Sequence, residues 1–127
     1  MNTQLEITPA QVHRQALGAS VREMASLLHQ LLSRRVTAYL AGEKDAATVS
    51  RWISGKVSHV RDPLVEQRLR TAYEIALLLL QEDAPDVVRA WFVSLSPQLG
   101  DATPIETIHN GELKEALAAA RSFVAGG

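Results

Sequence analysis

The sequence predicts an all-α fold, and three observations carry that prediction. Apolar residues recur at spacings of three and four along most of the chain, the period of a helix with one buried face. No run alternates with period two for long enough to make a strand. Gly and Pro at Gly18, Gly42, Gly55, Pro63, Pro85, Pro97, Gly100, Pro104 and Gly111 divide the chain into helix-length segments.

The elements follow in order. Thr8-Pro9 reads as an N-cap with proline at the first helical position, and Val12, Ala16 and Leu17 are assigned to one face. Gly18 ends or weakens that helix. Val21, Met24, Leu27, Leu28, Leu31 and Leu32 then form an amphipathic stripe. Ser33 to Ala41 predicts a short helix that buries Val36, Tyr39 and Leu40 and stops at Gly42. Asp45 is the expected N-cap of the next helix, which runs to about Ser54 before Gly55. Pro63 starts a long helix reaching about Glu82, with Leu64, Val65, Leu69, Ala72, Tyr73, Ala76, Leu79 and Leu80 as its apolar positions. Leu77 and Leu78 lie off that stripe, so the end of the helix needs a second packing partner. A dimer contact over Ala76 to Leu80, or simple core, would meet that need. Asp83 or Ala84 with Pro85 opens a helix through Trp91-Phe92, Pro97 to Thr103 reads as a loop, and Pro104 to Ile108 as about one turn. Glu112 to Val124 is the last helix, with Leu113, Ala116, Leu117, Ala120 and Val124 on one face.

With 127 residues and 46% apolar content, the chain fits one ordinary domain or two small units sharing a core. The expected organisation is an N-terminal region over 1–62 and a long helix with a C-terminal region over 63–127. Cysteine is absent, which removes disulfides, Cys-based zinc sites and Cys nucleophiles. The longest apolar run, Ile75 to Leu80, is far short of a membrane span. Met1 to Pro9 has neither a basic n-region nor an apolar h-region, so a cytoplasmic protein is expected.

The net charge is −1, but it is unevenly spread. Residues 33–70 hold Arg34, Arg35, Lys44, Arg51, Lys56, Arg61, Arg68 and Arg70 against four acids. Residues 71–127 hold eight acids against Arg89, Lys114 and Arg121. The middle therefore suits phosphate and the rear suits a basic partner, unless both are ordinary solvated faces.

Ser33 to Lys56 has the layout of a helix-turn-helix, with a turn at Gly42-Glu43-Lys44. In the second helix Val49, Trp52 and Ile53 share an inward face. Ala46, Ala47, Thr48, Ser50, Arg51 and Ser54 then face outward. The expected DNA-binding residues are Ala47, Thr48, Ser50, Arg51, Ser54, Lys56 and Arg61, with His59 beside them. Short side chains allow close approach, Arg51 reaches a guanine or a phosphate, and the residues beyond it reach backbone. The same layout also serves as plain scaffold in many helical proteins.

Enzymatic chemistry is not expected. His13, His29, His59 and His109 make no ligand pair at helical spacing, and there is no glycine-rich phosphate loop. Ser96, Asp101 and His109 have the residue types of a hydrolytic trio but lack a Gly-x-Ser-x-Gly elbow. No cofactor is expected.

From Asp45 onward the chain resembles the Xre/MbcA/ParS antitoxin family. The resemblance begins with Asp45-Ala46-Ala47-Thr48-Val49-Ser50-Arg51-Trp52-Ile53-Ser54-Gly55 and continues through Gln67-Arg68-Leu69 to Leu80. It is most telling in Ala90-Trp91-Phe92, Ser96-Pro97-Gln98-Leu99, Thr103-Pro104-Ile105-Glu106 and Asn110-Gly111-Glu112. It implies an antitoxin that covers the active site of a RES-domain, NAD-consuming toxin, and that binds operator DNA to regulate its own operon. A homo-oligomer, or a hetero-oligomer with the toxin, would follow. In that role Trp91 and Phe92 offer apolar area, although both also suit a core. Pro97 and Pro104 fix loops that present Gln98, Leu99 and Asp101. The slender end, with Val124, Gly126 and Gly127, either enters the toxin cleft or frays. The alternative is a stand-alone helix-turn-helix repressor.

Overall fold

The computed structural model describes residues 7–126. They form eight α-helices: α1 (Pro9–Gly18), α2 (Val21–Leu32), α3 (Arg34–Ala41), α4 (Ala47–Ser54), α5 (Pro63–Leu80), α6 (Pro85–Val93), α7 (Pro104–His109) and α8 (Leu113–Val124). No strand occurs among the described residues; one isolated antiparallel bridge joins Ser96 to Ala102. The all-α expectation holds.

Local chemistry sets most boundaries. Thr8, Ser20 and Thr103 each close a capping box, with Gln11, Glu23 and Glu106 returning the bond to the cap backbone. Proline opens α1, α5, α6 and α7, where its missing N–H costs nothing. Gly42 and Gly55 stop α3 and α4 with left-handed backbone at φ 87° and 81°. The structure starts α4 with Ala46 as its cap, one residue after the expected Asp45. The Asp45 carboxylate still accepts the Ala47 N–H at 2.9 Å, so it serves the first turn from outside. The segment expected as a plain loop over 97–103 contains a 3-10 turn at Pro97–Leu99.

Helix α5 is the axis of the fold, packed against α1, α2, α3 and α8. Ala72, Tyr73, Glu74, Ile75 and Ala76 are buried in succession, which happens only when neighbours enclose a helix on every side. Ala76, Leu78 and Leu79 are therefore inside the chain's own core, and Leu77 and Leu80 are half-buried. The stretch considered as a dimer surface is spoken for by intrachain packing. Residues on both sides of position 62 enter one hydrophobic core, from Val12 to Ala120.

Three apolar side chains assigned to the core are outside it. Leu17 is 59% exposed, Leu64 56% and Tyr39 43%. The packed neighbours decide this: each lies about 100° or more round its helix from the residues those neighbours bury, Ala16 and Val12, Val65 and Leu69, or Thr37 and Leu40.

Polar contacts tie the helices where packing alone would leave acceptors bare. Arg70 Nη1 donates to the Ala16 and Ala19 carbonyls at 2.7 and 3.0 Å, serving the carbonyl end of α1. Arg89 Nε donates to the Leu31 carbonyl at 2.8 Å, at the end of α2. His13 Nδ1–H donates to both carboxylate oxygens of the buried Glu74 at 3.0 Å. Burial of Tyr73 pushes its phenol up from 10.0, the nearby Glu23 charge adds to the rise, and a bond with Gln15 opposes it.

Candidate nucleic-acid and partner-binding surfaces

Helices α3 and α4 and the turn between them form the first candidate surface. Val49 and Trp52 are buried and Ile53 is half-buried, which fixes the inward face of α4 as expected. Outward, Ala47, Arg51 and Ser54 are exposed, while Thr48 and Ser50 are partly covered. Lys56 and Arg61 are exposed on the segment that follows. Two hydroxyls are already engaged. Ser50 Oγ accepts from Arg34 Nη1 at 3.0 Å, bracing α4 against the start of α3. Ser54 Oγ donates to the Arg51 carbonyl at 2.8 Å and accepts the Lys56 N–H at 3.3 Å. Ser54 thus closes the end of α4.

A basin of about 640 Å3 lies between α4 and the segment 56–62. It gathers Thr48, Arg51, Lys56 and Arg61 from the expected set, with His59, over Trp52, Val57 and Val60. Ala47, Ser50 and Ser54 lie outside it. Glu43 and Asp62 also line it, and sequence reasoning missed both. Their carboxylates oppose the cations and narrow the stretch of wall that favours an anion. Asp62 has a structural task besides, since it caps α5 through the Leu64 N–H at 2.9 Å.

The second candidate surface is a groove of about 540 Å3 between α6, the segment 94–98 and α8. Trp91, Pro97 and Gln98 of the expected toxin-binding set line it. Val87, Leu95 and Phe123 join them. Leu95 is 68% exposed and Phe123 37%, so a sizeable apolar area meets solvent here. Gln98 Nε2 donates to Ser122 Oγ at 2.9 Å and pins the segment to α8. Trp91 packs edge-on against Phe92, with centroids 5.3 Å apart, and faces Phe123 at 6.2 Å. No charged side chain lines the groove, so the acids of the rear half do not converge on it.

Other expected contacts lie elsewhere. Phe92 is fully buried and belongs to the core, not to a surface. Its i, i+4 partner Val88 is 1% exposed, and that spacing was the available signal. Leu99 is half-buried and Asp101 is exposed in left-handed backbone at φ 63°, both outside the groove. Val124 is half-buried against the core, and Gly126 is exposed at φ 89°. Gly127 lies outside the described residues.

Among the described residues no group of three or more His, Asp or Glu could hold a metal ion, and no helix is long and apolar enough to cross a membrane.

Compared with known proteins, the chain matches no protein-family model, no curated protein and no solved structure.

Proposed function

We propose that this chain is a non-enzymatic antitoxin of the cytoplasm, which neutralises a RES-domain, NAD-consuming toxin through the groove between α6 and α8. The resemblance supplies the class of partner, and one observation carries the reading that a partner docks here. Leu95, Trp91, Phe123, Val87 and Pro97 form an uncharged apolar concavity open to solvent. A monomer gains nothing from leaving such area wet, whereas a protein partner gains by covering it. Trp91 packs edge-on against buried Phe92, so the anchor is held in place before a partner arrives. A hetero-oligomer with the toxin follows from this reading.

The test is co-expression with the product of the neighbouring reading frame. Wild-type chain should co-purify with it, restore growth and stop its NAD consumption. Leu95→Asp places a charge on a residue that makes no core contact, so the variant should fold yet protect poorly. Full protection by folded Leu95→Asp and Trp91→Ala variants would remove the groove from the account. Full toxin activity in a saturating excess of wild-type chain would remove the antitoxin reading altogether.

A second role is favoured by the exposed cations around the basin. Arg51, Lys56 and Arg61 supply charge beside a helix whose outward residues are short, which suits operator DNA. The same surface would serve a stand-alone repressor. Operator binding by the chain without any partner, together with no effect on the neighbouring gene product, favours that alternative.

A further inference from the structure

The turn between α3 and α4 opens into another concavity, of about 660 Å3, which shares only Glu43 with the basin beside Arg51. Its wall is a stacked aromatic pair from two distant parts of the chain. Tyr39 of α3 and His109 of α7 lie with centroids 4.0 Å apart and planes 4° from parallel. His109 Nδ1–H donates to the Tyr39 carbonyl at 2.6 Å, and because a carbonyl only accepts, the proton position is fixed and Nε2 stays available. Arg35 and Lys44, both exposed, complete the wall.

Two cations beside a flat, exposed aromatic form a surface of the kind that nucleic acid uses, through phosphate contacts and sugar packing. The position also fits, because the first helix of a helix-turn-helix lies across the sugar-phosphate backbone. We propose that this concavity is a second phosphate-contact site of a duplex-DNA interface. Arg35 and Lys44 hold one phosphodiester beside the Tyr39 ring, and α7 of the rear half completes the site through His109. The proposal rests on the reading of α3 and α4 as DNA-facing and adds a contact from outside those helices. Glu43, between the two cationic walls, is the acid that weakens both.

Fluorescence anisotropy at several salt concentrations tests it, with two duplexes of about 30 base pairs: the region upstream of the chain's own gene and a random sequence. Arg35→Ala and Lys44→Ala should each weaken binding to both duplexes several-fold and lower the salt slope by about 1. Tyr39→Leu, which removes the platform and keeps the cations, should weaken both as well. Glu43→Gln should tighten both. Thermal melts of Lys44→Ala and Glu43→Gln should match wild type, since both residues lie on the turn. If Arg35→Ala and Lys44→Ala leave the slope unchanged while Arg51→Ala lowers it, the second site is wrong and the recognition helix stands. If wild-type chain binds neither duplex, both readings fail. Preference for single-stranded oligothymidylate over duplex, lost in Tyr39→Leu, would overturn the proposal in favour of base stacking.

Discussion

Arg68 of α5 lays its guanidinium against Gly42 at the end of α3: a methyl group at Gly42 would stand 2.9 Å from Arg68 Nη1. Gly111, just after α7, approaches the same guanidinium, with 3.7 Å between its methyl position and Nη2. A cation from the central helix thus sits at the carbonyl ends of two short helices, where the helix dipole favours it. A side chain at Gly42 would press on the end of that guanidinium.

Gly42→Ala should consequently destabilise the protein by about 1–2 kcal/mol, from left-handed backbone and from the displaced Arg68. Gly111→Ala has comparable backbone, at φ 82°, without the close contact, and should cost less. Differential scanning calorimetry of the two variants checks the order. Equal melting temperatures would show that Arg68 moves aside freely.

Phe92→Ala should cost roughly 3–5 kcal/mol, because a fully buried aromatic leaves a cavity. Trp91→Ala should cost less, since Trp91 is only partly buried. Urea denaturation separates the neighbours. A larger loss for Trp91→Ala would place it in the core and weaken its assignment as a partner anchor.

Arg70→Met should free the carbonyl end of α1. Its Nη1 donates to the Ala16, Ala19 and, at 3.3 Å, Leu17 carbonyls, while Nη2 meets Glu66 at 2.6 Å. The pair with Glu66 is part-exposed and contributes little. Loss of the carbonyl contacts should cost about 1–3 kcal/mol. Amide exchange should rise in α1 ahead of α5, and a uniform rise across the chain would contradict this local account.

Alkaline pH should destabilise the fold through Tyr73. Burial and the Glu23 charge raise its folded value above the 10.0 of an unfolded tyrosine. The folded state then binds more protons than the unfolded state above about pH 10. Stability is unaffected by this group below that pH and falls as pH rises through the folded value. Tyr73→Phe should flatten the decline in urea midpoint between about pH 9 and pH 11. An unchanged decline would assign it to other groups.

Much of the fold was legible in order along the chain. Thr8-Pro9, Gly42, Gly55, Pro63 and Pro85 mark helix ends because capping and backbone limits act within a few residues. The inward set Val49 and Trp52 was legible for the same reason: helical period is local. Leu17, Leu64 and Tyr39 were not, because each is apolar and near the stripe, and only the position of a neighbouring helix decides burial at its edge. Of the candidate residues, Arg51 could be named from residue type and helix position, and Trp91 and Pro97 from the family resemblance. Leu95 and Phe123 could not be placed beside Trp91, since that grouping requires the segment 94–98 to fold back onto α8.

The sequence by itself determined the helical class, the order of helices, most of their ends and the uneven charge. These depend on interactions within a turn or two of the chain. Tertiary structure alone decided that the end of α5 is enclosed, that Phe92 is core while Trp91 lines a groove, and that His109 reaches Tyr39 across 70 residues. Those outcomes depend on which helix faces meet, and burial is a property of the whole packed set, not of any segment read alone.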